Sequence, residues 1–385
     1  MMRRIPWGAA LFVVALFVPF LGSPLYTHLA TDVAIWALFA ISLNLLVGYT
    51  GLVSFGHAAY FGIGAYTCGL LMKEAGVAFP LAFLAGGLVA AFFAAVYGYF
   101  CVKLTQVYFA MLTLAFAWIT WAVCFRWNEV TGGDQGLFGV PLPNLDWLGT
   151  LPLIGGRSSA DYFHFLTVIL VAAGIWAARR LVDSPFGLIL TTIRDNPERA
   201  ESIGIDVRRY QHAVFVVAGF LAGLAGALFG IFNRGVYPDF MYWTKGAEVL
   251  IMTLLGGMGT FYGPVVGAFL ILWLNQEITA ITEYWSLVLG IVLAVLILVL
   301  PAGVLGSIID GWDALRRRFI DASRPSSKEA EETRDGLRRA SAEGKSPVTA
   351  GHCRDLGNEP GVRVATAPEP PMGDQARAMS ERPAE

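Results

Sequence analysis

Between Arg179 and Arg209, thirty-one positions hold eleven charged side chains: Arg179, Arg180, Asp183, Arg194, Asp195, Glu198, Arg199, Glu201, Asp206, Arg208 and Arg209. Only apolar runs flank them. Arginines and carboxylates mixed this densely cannot lie in hydrocarbon, where each charge costs about 2.5–3.5 kcal/mol or more. Their chemistry is the gripping of another protein's surface in water. A second, sparser set is polar without charge. Asn44, Thr50, Ser54 and His57 stand among Gly48, Gly51, Gly56, Gly62 and Gly64, and Thr113 lies in a later apolar run. Side chains of this kind can hydrogen-bond a polar solute, and clustered glycines tolerate a bent or discontinuous helix beside a cavity. The plainer alternatives are helix packing for the glycines, an interfacial position at a helix start for His57, and a bond to its own helix backbone for Thr113.

The groups that would make an enzyme or a self-powered pump are missing. The chain has no G-x-x-x-x-G-K-[ST], no HExxH and no GxSxG. Asp32, Glu248, Glu277 and Glu283 each fall near the end of an apolar run, so no relay of mid-membrane carboxylates is expected. Four cysteines without CxxC spacing read as small packing residues, so neither a metal nor another cofactor is expected. No basic stripe points to nucleic acid.

These side chains must be carried by membrane helices. The chain is 385 residues long, 56% hydrophobic and only 15% charged, against about 25% charged in soluble domains. Apolar runs predict an all-α, polytopic bundle of about ten spans: Trp7–Leu21, Val33–Val47, Leu52–Met72, Ala78–Val102, Val107–Phe125, Tyr162–Ala178, Gln211–Phe232, Glu248–Phe261, Val265–Ile281 and Trp285–Leu300. The first is read as a retained span, with a cleaved signal peptide as the rival. Glu248–Phe261 is short and glycine-rich, so it either crosses or dips together with its neighbour. With both termini in the cytoplasm, twelve basic residues fall inside against five outside, as the positive-inside rule requires.

The expected organisation is an N-terminal span in 1–30 and a transmembrane domain over 31–310. Within that domain, 179–210 forms a cytosolic insert. A polar tail over 315–385 has too little apolar surface to fold. Ser184-Pro185 and Asn196-Pro197 each place a capping residue before a proline at a first helical position, and Gly204 sits where a helix would stop. The insert therefore reads as one or two short helices. Gly219, Gly223, Gly226 and Gly230 recur at packing intervals. GGMGTFYGPVVG (256–267) reads as a sharp turn that echoes the glycine-rich 44–66 stretch.

Several of these motifs together resemble one family. LNLLVGYTGLVSFGHAAYFGIGAY, YFAMLTLAFA, TGGDQGL, SPFGLILTTIRDNPERAESIGIDVRRYQ, AGLAGALFG, LIMTLLGGMGTFYGPVVGA and PAGVLG follow in order from about Asp32 to Gly306. They are similar to LivM-type permease subunits of bacterial branched-chain amino acid ABC transporters. The resemblance implies an inner-membrane importer that works by alternating access. Its partners would be a second permease in a hetero-dimer, two cytosolic ATP-binding subunits and a periplasmic substrate-binding protein. Arg194, Asp195, Asn196, Glu198, Ala200, Gly204, Ile205 and Asp206 match the family's coupling region. Related permeases for urea or other small solutes are the alternative, and an ion-coupled secondary transporter is a more distant one.

Overall fold

The computed structural model describes residues 24–143 and 158–281, together with 303–307 and a few isolated positions. The first and tenth predicted spans fall almost wholly outside those residues. Contacts divide the chain into Met1–Arg316 and Arg317–Glu385, and the second unit, with the predicted tail, also lies outside the described residues.

The described chain is mostly helical. In order it forms α1 (Pro24–Thr50), α2 (His57–Lys73), α3 (Phe79–Cys101), α4 (Gln106–Arg126) and a short α5 (Asn128–Thr131). A strand β1 (Leu137–Phe138) follows, then α6 (Ser159–Val182), α7 (Pro185–Asp195), α8 (Pro197–Ser202) and α9 (Val207–Phe232). Strand β2 (Gly235–Val236), α10 (Trp243–Gly256) and α11 (Gly263–Ile281) complete it. Among the described residues, five helices are long and apolar enough to cross a membrane: α1, α3, α4 (over Val107–Arg126), α6 and α9.

Burial sorts these helices into two kinds. Helices α1 and α9 are sheathed on nearly all sides, whereas α3, α4 and α6 keep most of their surface outward. Helix α3 shows how. Leu81, Leu84, Leu88, Phe92, Val96 and Tyr99 form an outward stripe, while Ala82, Gly86, Ala90, Ala94 and Gly98 face in. Large apolar residues outside and small ones inside suit a lipid-facing helix, because lipid solvates leucine as well as a core does and small residues allow backbones to approach. The partner face is α9. A methyl group on Gly219 would strike Ala94, and one on Gly223 would strike Ala90. The backbone of Gly226 is pressed against the Phe61 carbonyl of α2.

Two ends can be told apart. At one, β1 pairs antiparallel with β2, matching Leu137 with Val236 and Phe138 with Gly235. The Arg234 carbonyl there accepts from the Gly139 and Val140 amides at 3.0 and 3.2 Å. The TGGDQG stretch thus belongs to an ordered loop tied to the end of α9. At the other end lie residues 48–51, the 183–206 insert and the 257–262 turn.

Three sequence expectations change. The helix predicted at Val33 already starts at Pro24, inside the segment assigned to an N-terminal span. Asp32 consequently sits nine residues into a 27-residue helix and not at its end. The run Leu52–Met72 becomes helical only at His57, because Gly51 has φ +73° and residues 51–54 are irregular. Helix α10 spans 14 residues, about 20 Å at 1.5 Å per residue.

Candidate functional site

The insert folds into a compact knob on a small core of its own. Pro185 opens α7 and Pro197 opens α8. The Asn196 side chain caps α8 by accepting from the Arg199 amide at 2.9 Å. Ser184 does not cap α7, because its hydroxyl donates back to the Leu181 carbonyl. Ile193, Ala200 and Val207 are buried against one another, with Ile189, Ile205 and Tyr210 packed around them. Gly204 turns the chain at φ +87°, and Asp206 caps α9 through the Arg209 amide. Glu198, Asp195 and Gly204 remain exposed. The eight matching residues therefore divide. Asn196, Ala200, Gly204, Ile205 and Asp206 build the knob, Glu198 and Asp195 face outward, and Arg194 points back into the protein.

That inward arginine is the main structural result. Its Nη1 donates to the Gly48 carbonyl at 2.6 Å. Gly48 belongs to the last turn of α1, whose final carbonyls have no partner within the helix and carry the negative end of its dipole. A guanidinium there both satisfies an oxygen and matches the charge. Arg179, in the last turn of α6, acts similarly on the other glycine-rich turn. Its guanidinium lies 5.6 Å from the Phe261 ring centre and 5.0 Å from that of Tyr262, while an Asp183 carboxylate oxygen lies 3.5 Å from Nε.

The two glycine-rich turns meet between these arginines. Asn44 Nδ2 donates to the Thr260 carbonyl at 3.2 Å. The missing side chain of Gly48 leaves room for the Met258 carbonyl, which a Cβ would approach to 2.6 Å. Gly257, at φ +109°, stops α10, as Gly51 stops α1. Helix–break–helix thus occurs twice, over 51–56 and 257–262, and the breaks face each other on the side of the knob.

The polar set lies inside the bundle. Asn44, Thr50, Ser54, His57 and Thr113 are all buried. Thr113 donates to the Ala110 carbonyl at 2.8 Å, and Thr50 to that of Leu46, as helical threonines usually do. His57 opens α2 but is not interfacial: it is fully enclosed, its Nε2 is 2.8 Å from Ser42 Oγ, and its ring stacks on Phe39. Asn44 Oδ1, Ser54 Oγ and His57 Nδ1 are enclosed without a hydrogen-bond partner. The Gly56 backbone rests on the Thr113 carbonyl, so Thr113 lies against the turn that opens α2 at His57. Thr50 and Asn44 belong to the neighbouring α1–turn contact.

A family model described as the branched-chain amino acid transport system permease component matches residues 25–300. The chain is a member of that permease family. It is a transport subunit and not an enzyme. Among curated relatives, the high-affinity branched-chain amino acid transport system permease protein LivM of Escherichia coli K12 is 28% identical, over 77% of this chain and 73% of the relative. The LivM of Salmonella typhimurium is 27% identical over the same shares. LivH of E. coli K12 is 25% identical, over 70% of this chain and 91% of its own. No solved structure matches. With the family established, the helical bundle is that of an integral membrane permease.

Sequence reasoning missed three things in this permease. Arg179 was grouped with the docking charges, although two aromatic residues in the 256–267 run stood ready to receive it. Leu188 and Ile203 are 70% and 68% exposed on the knob; Ile203, lodged between Ser202 and Gly204, was a visible signal of an outward apolar contact. Asp32 stands within α1 because that helix reaches back to Pro24, nine residues before the apolar run begins at Val33.

Proposed function

We propose that this chain is one of two permease subunits of a binding-protein-dependent ABC importer for branched-chain amino acids, driven by two cytosolic ATP-binding subunits. Family membership over 25–300 supports the transport role, and the LivM and LivH relatives support the substrate and the hetero-dimer with a second permease. The periplasmic binding protein delivers leucine, isoleucine or valine to the end where β1 pairs with β2. The knob, with Asp195, Glu198, Ile203 and Gly204 outward, enters a groove on the ATPase. Asn44, Thr50, Ser54, His57 and Thr113 line or gate the path. About ten crossings of the bacterial inner membrane, cytoplasmic termini and an unfolded cytosolic tail complete the reading.

The observation that carries the mechanism is the hydrogen bond from Arg194 to Gly48. A rigid knob can transmit ATPase closure to both flanking helices, and this contact leads directly to a helix break inside the bundle. Reconstitution tests the whole reading. The two permeases, two ATPases and binding protein in proteoliposomes should accumulate branched-chain amino acids when ATP is supplied on the ATPase side. Accumulation of urea or a sugar in preference to all three amino acids would refute the substrate assignment.

A further inference from the structure

Asp32 lies on α1 about 12 Å along the helix from Pro24, where the polar first turns with Thr27, His28 and Thr31 give way to the apolar run that begins at Val33. Trp36 lies one turn on, and it, Lys245 and Glu248 all stand near enough to act on the carboxylate electrostatically. One carboxylate oxygen, Oδ1, is closed off and has no hydrogen-bond partner. Lys245 and Glu248 come from the first two turns of α10. Their charged atoms are 2.9 Å apart and about a third of each side chain stays open. Lys245 Nζ stands 5.0 Å from the centre of the Trp36 ring.

Lys245 is paired with Glu248, and among the described residues no cation forms an ion pair with Asp32. A charged pair does not open onto lipid, so the open third of Lys245 and Glu248 faces water or the partner subunit that completes a wet path. An enclosed carboxylate oxygen without a donor is costly, and a ligand bringing N–H donors and a positive charge relieves it. A free α-amino acid brings both on its ammonium, and its carboxylate, left on the open side, can share Lys245 with Glu248.

We propose that Asp32, with Lys245 and Glu248, forms a station on the permease that holds the α-ammonium of the amino acid during translocation. The proposal rests on the amino acid reading of the previous subsection. A station here gives the permease its own selectivity for zwitterions, independent of the binding protein.

The test uses the complete complex of permeases and ATPases in lipid nanodiscs, without binding protein. Equilibrium binding of radiolabelled leucine is compared with that of 2-hydroxy-4-methylpentanoate, in which a hydroxyl replaces the ammonium. The wild type should prefer leucine by about tenfold or more, the scale of one charge-assisted hydrogen bond. Asp32→Asn should erase that preference by weakening leucine while leaving the hydroxy acid within about twofold. Glu248→Gln carries the same prediction should Asp32→Asn fail to assemble. Unchanged leucine binding, equal loss of both ligands, a sodium requirement, or no saturable leucine binding to the wild type would each overturn the station. ATP-driven leucine uptake by the wild-type system with its binding protein stands or falls separately, so a failed station is distinguishable from a wrong substrate.

Discussion

Replacing Arg194 with alanine should separate ATP hydrolysis from transport. The bond from Nη1 to the Gly48 carbonyl is charged on one side and 2.6 Å long. Hydrogen bonds of that class contribute about 1.5–3 kcal/mol. The Arg194 side chain is 39% exposed, so water and salt reduce the figure to about 1–2 kcal/mol. That corresponds to roughly a 5- to 30-fold change in the balance between a knob held against α1 and one detached from it.

The assay is uptake and phosphate release measured together in proteoliposomes holding the complete importer. Arg194→Ala should keep ATP hydrolysis within about twofold of wild type while the amino acid moved per ATP falls roughly 5- to 30-fold. Arg194→Lys should recover part of the loss, since an ammonium can reach one carbonyl but lacks the planar fork. Glu74→Gln is the control. That carboxylate lies away from the knob, is 65% exposed and stands 3.7 Å from Lys73, an ion pair of little energetic weight. Unchanged transport per ATP in Arg194→Ala would show that the link to Gly48 is not how the knob drives the bundle.

Gly204→Val should strain the knob by about 1–2 kcal/mol, because φ is +87° with open space around the Cβ position; copurification of the ATPases with the permease would weaken, and Gly204→Asn would weaken it less. Glu198→Lys changes only an exposed charge, so the permease should reach the membrane in normal amount while ATPase copurification falls, read by pull-down from detergent. A Cys at position 198 should react with an impermeant maleimide in inside-out vesicles and not in intact cells; the reverse pattern would invert the topology. Gly226→Leu should destabilise the bundle by about 1–3 kcal/mol or prevent assembly, since a Cβ there meets the Phe61 carbonyl; Gly259→Ala, with nothing near its Cβ position, should leave thermal unfolding in detergent unchanged.

The knob was the most legible part of the chain. Two prolines at first helical positions, one of them after a capping asparagine, a glycine at the stop and the charge density around them fix short helices in water, and local chemistry of that kind survives tertiary packing. The packing role of Gly219, Gly223 and Gly226 was legible for the same reason. What escaped was long-range. Nothing near Gly48 announces that residue 194 supplies its donor, or that residue 260 faces Asn44. The four-residue spacing of Ala82, Gly86, Ala90, Ala94 and Gly98 was readable in α3, but a helix apolar all round gives no hydrophobic contrast to draw the eye to it. Asp32 was misjudged because an apolar window begins where hydropathy rises, whereas α1 begins at Pro24, where a proline suits a first turn.

The two helix breaks explain why a small displacement of the knob need not be absorbed near the surface. Continuous helices would bend slightly along their length. Here Arg194 holds the end of α1 at Gly48, and Arg179 rests on Phe261 and Tyr262. The first break touches the second through Asn44 and the Thr260 carbonyl. Each break has a glycine at positive φ, Gly51 in one and Gly257 in the other, so rotation about a few backbone bonds costs less there than in a helix. Past the breaks stand His57, enclosed beside Ser42, and α10, which carries Lys245 and Glu248. On the proposed mechanism, a tug on the knob reaches both the buried polar residues and the Lys245–Glu248 pair through these two breaks, and the apolar body of the bundle stays packed.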